Sequence, residues 1–93
     1  MSIISVLQDW YESICGNGIC TGIQIETVDN CGWHVSIDLF DTVYENMNFN
    51  SVDIKKNDRC WFKCSKENGM FTAYGGVQNL DDILNVFYSW VNA

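Results

Sequence analysis

The sequence predicts an α+β fold: an antiparallel sheet of four to five strands, with an N-terminal and a C-terminal helix packed on one face. Three observations lead there. Apolar residues recur at helical spacing at both ends of the chain, they alternate with period two in between, and Asn68-Gly69 separates two of the alternating runs. The length of 93 residues sets an expectation of a single domain, 1–93. A chain of this mass buries about 64% of its unfolded surface, enough for one core without a metal or disulfides as a prerequisite. With 47% hydrophobic and 18% charged residues, intrinsic disorder is excluded.

The elements follow in order. Ile3, Leu7, Trp10, Tyr11 and Ile14 fall on one helical face, with Ser2 as the N-cap and Gly16-Asn17-Gly18 as the stop. Gly22-Ile23-Gln24-Ile25-Glu26-Thr27 and the run Trp33 to Leu39 alternate as strands, and Asp29-Asn30-Cys31-Gly32 between them has the composition of a hairpin turn. Phe40 to Asn50 is polar and irregular, followed by a short strand around Ser51–Lys55. Cys60–Glu67 and Met70–Gly75 flank Asn68-Gly69, the strongest short signal for a type I′ hairpin. The last helix opens at Asn79 as its cap and places Asp81 and Asp82 at its positive end. Leu80, Ile83, Leu84, Phe87 and Trp90 line one of its faces.

A two-residue turn at Asn68-Gly69 sets Cys64 opposite Ala73 and Phe62 opposite Gly75, so the small residues let a helix approach closely. The expected core contains Trp10, Trp33, Phe62, Phe87 and Trp90. The opposite sheet face then carries Trp61, Lys63, Met70, Thr72 and Tyr74 beside Gln24, Glu26, His34, Ser36 and Asp38. That face is polar and aromatic, which makes it the natural contact surface.

Charge narrows the function. Twelve acids against five bases give a net charge of −7, and such a surface repels phosphate, so no nucleic-acid partner is expected. Residues 1–54 carry eight acids and no Lys or Arg, whereas every base lies between Lys55 and Lys66. Acids at this density keep an apolar-rich domain in solution. They also create a long-range negative field that steers a basic protein partner. No apolar run approaches the length of a membrane span, and the start has no secretory pattern, so no membrane is expected and the chain reads as cytoplasmic.

Five cysteines (Cys15, Cys20, Cys31, Cys60 and Cys64) form an odd set that does not suit a disulfide scaffold. Cys60 and Cys64, four apart in one strand, are separated by about 13 Å and cannot share a metal. Cys15 and Cys20 span a loop looser than a zinc knuckle. Five reduced thiols, no metal and no cofactor are therefore expected. Catalysis is not expected either. The single histidine, His34, points to the outer face with no orienting group identified, and no cysteine precedes the single arginine, Arg59, at the spacing of a phosphatase loop. Gly75-Gly76 before a helix would cradle a phosphate only without Asp81 and Asp82 in the first turn. No small-molecule substrate is expected.

The run Gly22-Ile23-x-Ile25-x-Thr27-x-Asp29-Asn30-x-Gly32-Trp33-x-Val35-x-Ile37-Asp38-Leu39 resembles the immunity-protein-53 family of bacterial polymorphic toxin systems. Trp10-Tyr11 with Cys15, Trp61-x-x-Cys64, Phe71 through Gly75-Gly76, and Asn79-Leu80-x-x-Ile83-Leu84-x-x-Phe87-x-x-Trp90 agree in the same order, so the resemblance covers nearly the whole chain. The segment Gly16-Asn17-Gly18-Ile19-Cys20-Thr21 is shorter and less charged than the family pattern, and Cys31 stands where proline is common. The resemblance implies a non-catalytic antidote that binds a cognate toxin domain and protects the producer. An acidic regulatory or scaffolding module for another basic protein fits the same charge but not the motif run. The expected partner-binding residues are Glu26, Asp29, Asp38, Asp41 and Glu45, with Trp61 and Tyr74 as aromatic anchors. A standard interface takes about 800 Å² from each partner, so one face must suffice. Nuclease toxins carry basic clefts for phosphate, and an acidic antidote suits such a toxin.

Overall fold

The computed structural model describes residues 2–15, 22–29 and 31–92. The expected helix stop at Gly16-Asn17-Gly18, Cys20 and the turn residue Asn30 lie outside the described residues. The order of elements is α1 (Ile3–Cys15), β1 (Ile23–Val28), β2 (Gly32–Asp38), β3 (Val52–Asn57), β4 (Cys60–Glu67), β5 (Met70–Gly76) and α2 (Leu80–Val91). The strands form one antiparallel sheet in the order β1-β2-β5-β4-β3. The α+β architecture read from the sequence is therefore present, with five strands.

Local chemistry accounts for the boundaries. The backbone N–H of Ser5 donates to Ser2 Oγ at 3.2 Å, the bond of an N-cap serine to the third helical residue. Asn68 and Gly69 both have left-handed backbones (φ 53 and 74), as a type I′ turn requires. That turn pairs Cys64 with Ala73 and Phe62 with Gly75, the expected register. Leu39 N–H then donates to Gly69 O at 2.8 Å, tying the end of β2 to the hairpin tip.

One core fills the space between the sheet and α2. Val35, Ile37, Cys64, Phe71 and Ala73 from the strands meet Ile83, Leu84, Phe87 and Val91 of the helix, with Leu39 beside them. A Cβ added to Gly75 would stand 2.8 Å from Ile83 Cδ1, so the helix approaches the sheet where a side chain is absent. Helix α1 has no fully buried residue and joins this core through α2, its Trp10 edge-on to Phe87 at 4.9 Å. Ile3, Leu7 and Trp10 pack against the core, but Tyr11 is 40% exposed and stands off that face.

Four details differ from the sequence-based expectation. Of the five aromatics assigned to the core, Phe87 is fully buried, whereas Trp10, Phe62 and Trp90 are half-buried at its margin. Trp33 is half-buried outside the cluster, where its indole N–H donates to Val77 O at 2.9 Å. It occupies an inward position of β2, but at the end of the strand. The irregular stretch 40–50 contributes core instead: Phe49 meets Phe71 edge-on at 5.5 Å and Trp90 at 5.3 Å, while Tyr44 lies between Trp10 and Trp90. Asn79 stands at the N-cap position without capping through its side chain. That side chain is buried and spans two elements: Oδ1 accepts from Trp61 N–H at 3.3 Å, and Nδ2 donates to Asp82 Oδ2 at 2.7 Å.

Candidate partner-binding face

The pleat turns Gln24, Glu26, His34, Ser36, Asp38, Met70, Thr72, Tyr74, Trp61 and Lys63 to the sheet face opposite α2. The helices leave it uncovered. Across its middle the strand register aligns one residue from each strand: Glu26, His34, Tyr74, Lys63 and Asp53. A row of acid, imidazole, phenol, amine and acid crosses the whole sheet.

The first three members of that row touch. His34 Nδ1 lies 3.0 Å from Glu26 Oε1, and the imidazole stacks on Tyr74 with centroids 4.6 Å apart and planes at 26°. A carboxylate only accepts, so Nδ1 carries the proton and Nε2 is the acceptor of the neutral ring. The Glu26 side chain remains 61% exposed, so the pair leaves its second oxygen available to a partner. Tyr74 is 45% exposed at the centre of the face, a large aromatic surface open to contact. Trp61 is half-buried, its ring over Gly76, where an added Cβ would come 3.4 Å from Trp61 Cδ1.

The seven expected binding residues do not form one patch. Glu26, Asp38, Trp61 and Tyr74 share the outer face. Asp38 closes β2 and spends Oδ1 on the backbone N–H of Phe40 at 2.9 Å. Asp29 follows β1 at the opposite end of the sheet, separated from Asp38 by the length of β2, roughly 20 Å. Asp41 and Glu45 sit in the loop after β2, where Glu45 Oε1 accepts from Asp41 N–H at 2.9 Å and the Glu45 side chain lies over Gly69. Those two carboxylates flank the β4–β5 hairpin tip, at the same end as Asp38. A partner large enough to cover the face meets either end, but a small ligand does not meet both.

Three members of the row were outside the expected set: His34, Lys63 and Asp53. His34 joins it because the Trp33 and Val35 positions turn inward, a signal legible in the alternation. Lys63 joins it opposite Tyr74, which the Asn68-Gly69 turn already specified; its placement beside Asp53 needed the β3 register, which no sequence feature announced. All five bases lie on β3, β4 and the turn between them, so the sheet is cationic along one margin and acidic along the other.

Among the described residues, no three His, Cys, Asp or Glu side chains converge as metal ligands. Burial pushes the Cys64 thiol from 9.0 up to about 12, which suppresses its thiolate. At the Asp29 end a cavity of about 400 Å³ is lined by Cys31, Asp58, Arg59, Val77 and Gln78. No described helix is long and apolar enough to cross a membrane.

Comparison with known proteins gives one positive finding. The model of the family described as Immunity protein 53 matches residues 4–92. No curated protein matches the chain, and no solved structure does.

Proposed function

The chain belongs to the immunity protein 53 family, and from that premise we propose that it neutralises a basic toxin of the nuclease class by seating it on the outer sheet face. Family membership makes the chain an immunity protein, generally an antitoxin, and implies a protein toxin as partner and a non-catalytic mode of action. The observation that carries the choice of face is the uncovered sheet surface on which Glu26, Asp38, Trp61 and Tyr74 stand together.

The division of labour is electrostatic and apolar. Carboxylates, with exposed Asp29 at one end and exposed Asp41 beside half-buried Glu45 at the other, speed encounter with a basic surface; Tyr74 and Trp61 lose water on contact and slow dissociation. A face of this kind needs no conformational change to bind, since the sheet backbone is already fixed by its ladder.

Co-purification with the C-terminal toxin domain encoded beside this chain's gene tests the partnership directly. With that domain in hand, association is measured across salt concentrations for the native chain and for a variant with Glu26, Asp38 and Asp41 neutralised together. We expect about a tenfold slower association at low salt and convergence of the two at high salt. Trp61→Ala and Tyr74→Ala should each raise the dissociation rate. Association insensitive to salt and to neutralisation, with unchanged dissociation, would place the interface elsewhere.

A further inference from the structure

The outer face is concave on its β3–β4 side. A depression of about 250 Å³ is lined by Lys55, Asp58, Trp61 and Lys63, and a second of about 320 Å³ includes Asp53, Lys63, Ser65, Thr72 and Tyr74 in its wall. Lys63 lines both, two residues after Trp61 on β4 and opposite Tyr74 on β5. The ion pairs among the described residues join His34 to Glu26 and Lys55 to Asp58, and Lys63 belongs to neither. The Lys55–Asp58 pair is weak: 3.8 Å, with side chains 67% and 99% exposed. In a chain of net charge −7, the hollow of the expected binding face therefore balances Lys55 and Lys63 against Asp53 and Asp58, and within it Lys63 is the cation without an ion-pair partner.

We propose that this hollow receives an acidic side chain, an Asp or Glu on a protruding segment of the toxin, with its carboxylate on Lys63 and its stem between Trp61 and Tyr74. The inference rests on the reading that the outer face meets the toxin, and it adds a polarity to that contact. The toxin presents basic groups over Glu26 and an acidic group over Lys63, which sets the rotation of one partner on the other. The Ser65 and Thr72 hydroxyls in the same wall supply donors for the second carboxylate oxygen.

A single carboxylate suits the hollow better than a polyphosphate chain. Asp53 and Asp58 flank Lys63 and Lys55, and Glu26 and Asp38 occupy the rest of the face, so a strand of phosphates would meet several like charges for each cation. One acid seated on Lys63 meets its opposite charge and leaves the neighbouring acids to basic groups around it. Reversing the lysine should then act on residence time, since a partly desolvated pair governs dissociation more than encounter.

The test uses the full chain and the toxin domain encoded beside its gene. Lys63→Glu should weaken the complex about a hundredfold and Lys63→Met about tenfold, chiefly in dissociation. Replacing one toxin Asp or Glu by Lys should restore binding to the Lys63→Glu variant. Lys63 is exposed, so both variants should keep the native thermal midpoint, and Lys63→Gln replaces any that does not. If Tyr74→Ala loosens the complex while Lys63→Glu leaves it within about twofold, the acidic receptor is wrong and the face assignment stands. If no toxin acid reversal restores the Lys63→Glu variant, the receptor is likewise wrong. If Trp61→Ala, Tyr74→Ala and Lys63→Glu are all silent, the face assignment fails and takes the receptor with it. Binding of a single-stranded oligonucleotide that Lys63→Glu abolishes would assign the hollow to phosphate and overturn the proposal.

Discussion

The cysteines show how strongly one side chain's setting decides its chemistry. Cys64 is inward on β4 and 2% exposed, whereas Cys31 is exposed in the β1–β2 turn. At pH 8, iodoacetamide should therefore label Cys31 as it labels an open thiol and label Cys64 only as fast as the chain opens; comparable rates would contradict the burial. The raised value of Cys64 also couples to stability. The unfolded thiol ionises near 9.0 and the folded one near 12, so the contribution is complete below pH 9 and is lost as pH rises from 9 towards 12. Chemical denaturation from pH 8 to 11 should show a fall in stability that Cys64→Ala reduces. Cys31 carries a different load, a left-handed backbone at φ 59. Cys31→Gly should raise stability by about 0.5–1 kcal/mol, read as a higher denaturant midpoint, because glycine adopts that conformation without a Cβ clash. Proline cannot adopt it at all, so at this position the residue and the turn geometry are matched.

The elements were legible where a local signal repeats. Both helices, the Asn68-Gly69 hairpin and its register follow from spacing, capping and turn chemistry, which act within a few residues. The interior of the 40–50 loop was not legible, because Tyr44 and Phe49 have no periodic neighbours and reach the core only when the chain returns over α2. Asn79 illustrates the same limit. Its sequence position is that of a cap, but packing of α2 against β4 brings Trp61 N–H within reach, and that bond displaces the capping role. Asn79→Ala should cost about 1–3 kcal/mol, since it strands a part-buried backbone donor, and an Asn79→Ser replacement should not recover the loss. Full recovery in Asn79→Ser would return Asn79 to an ordinary cap, since serine caps about as well as asparagine. Gly75→Ala should cost about 1–3 kcal/mol by pushing Ile83 away from β5.

At the scale of the whole molecule, the core is a narrow one beneath α2, and the margins of the sheet remain open. Ile25 and Ile54 occupy inward positions of the two edge strands, yet they are 37% and 39% exposed, because α2 lies over β4 and β5. Phe87, in contact with Phe71 and Trp10, should therefore lose about 3–5 kcal/mol on truncation to alanine, comparable with the stability of a domain this size. Trp33→Ala should lose about 1–2 kcal/mol, since it removes half-buried surface and one hydrogen bond. Equal losses in the two variants would move the centre of the core towards Trp33. The sequence by itself determined the class of fold, which side of β1, β2, β4 and β5 faces the helices, the hairpin register and the family, because alternation, turn chemistry and motif order are properties of neighbouring residues. Only the tertiary structure decided which inward positions are covered and how charge is distributed in space. Strand order sets both, and strand order is chosen by packing across the whole sheet: β5 lies at its centre, Glu26 at one margin and Lys55 at the other, with Lys63 on the strand beside it.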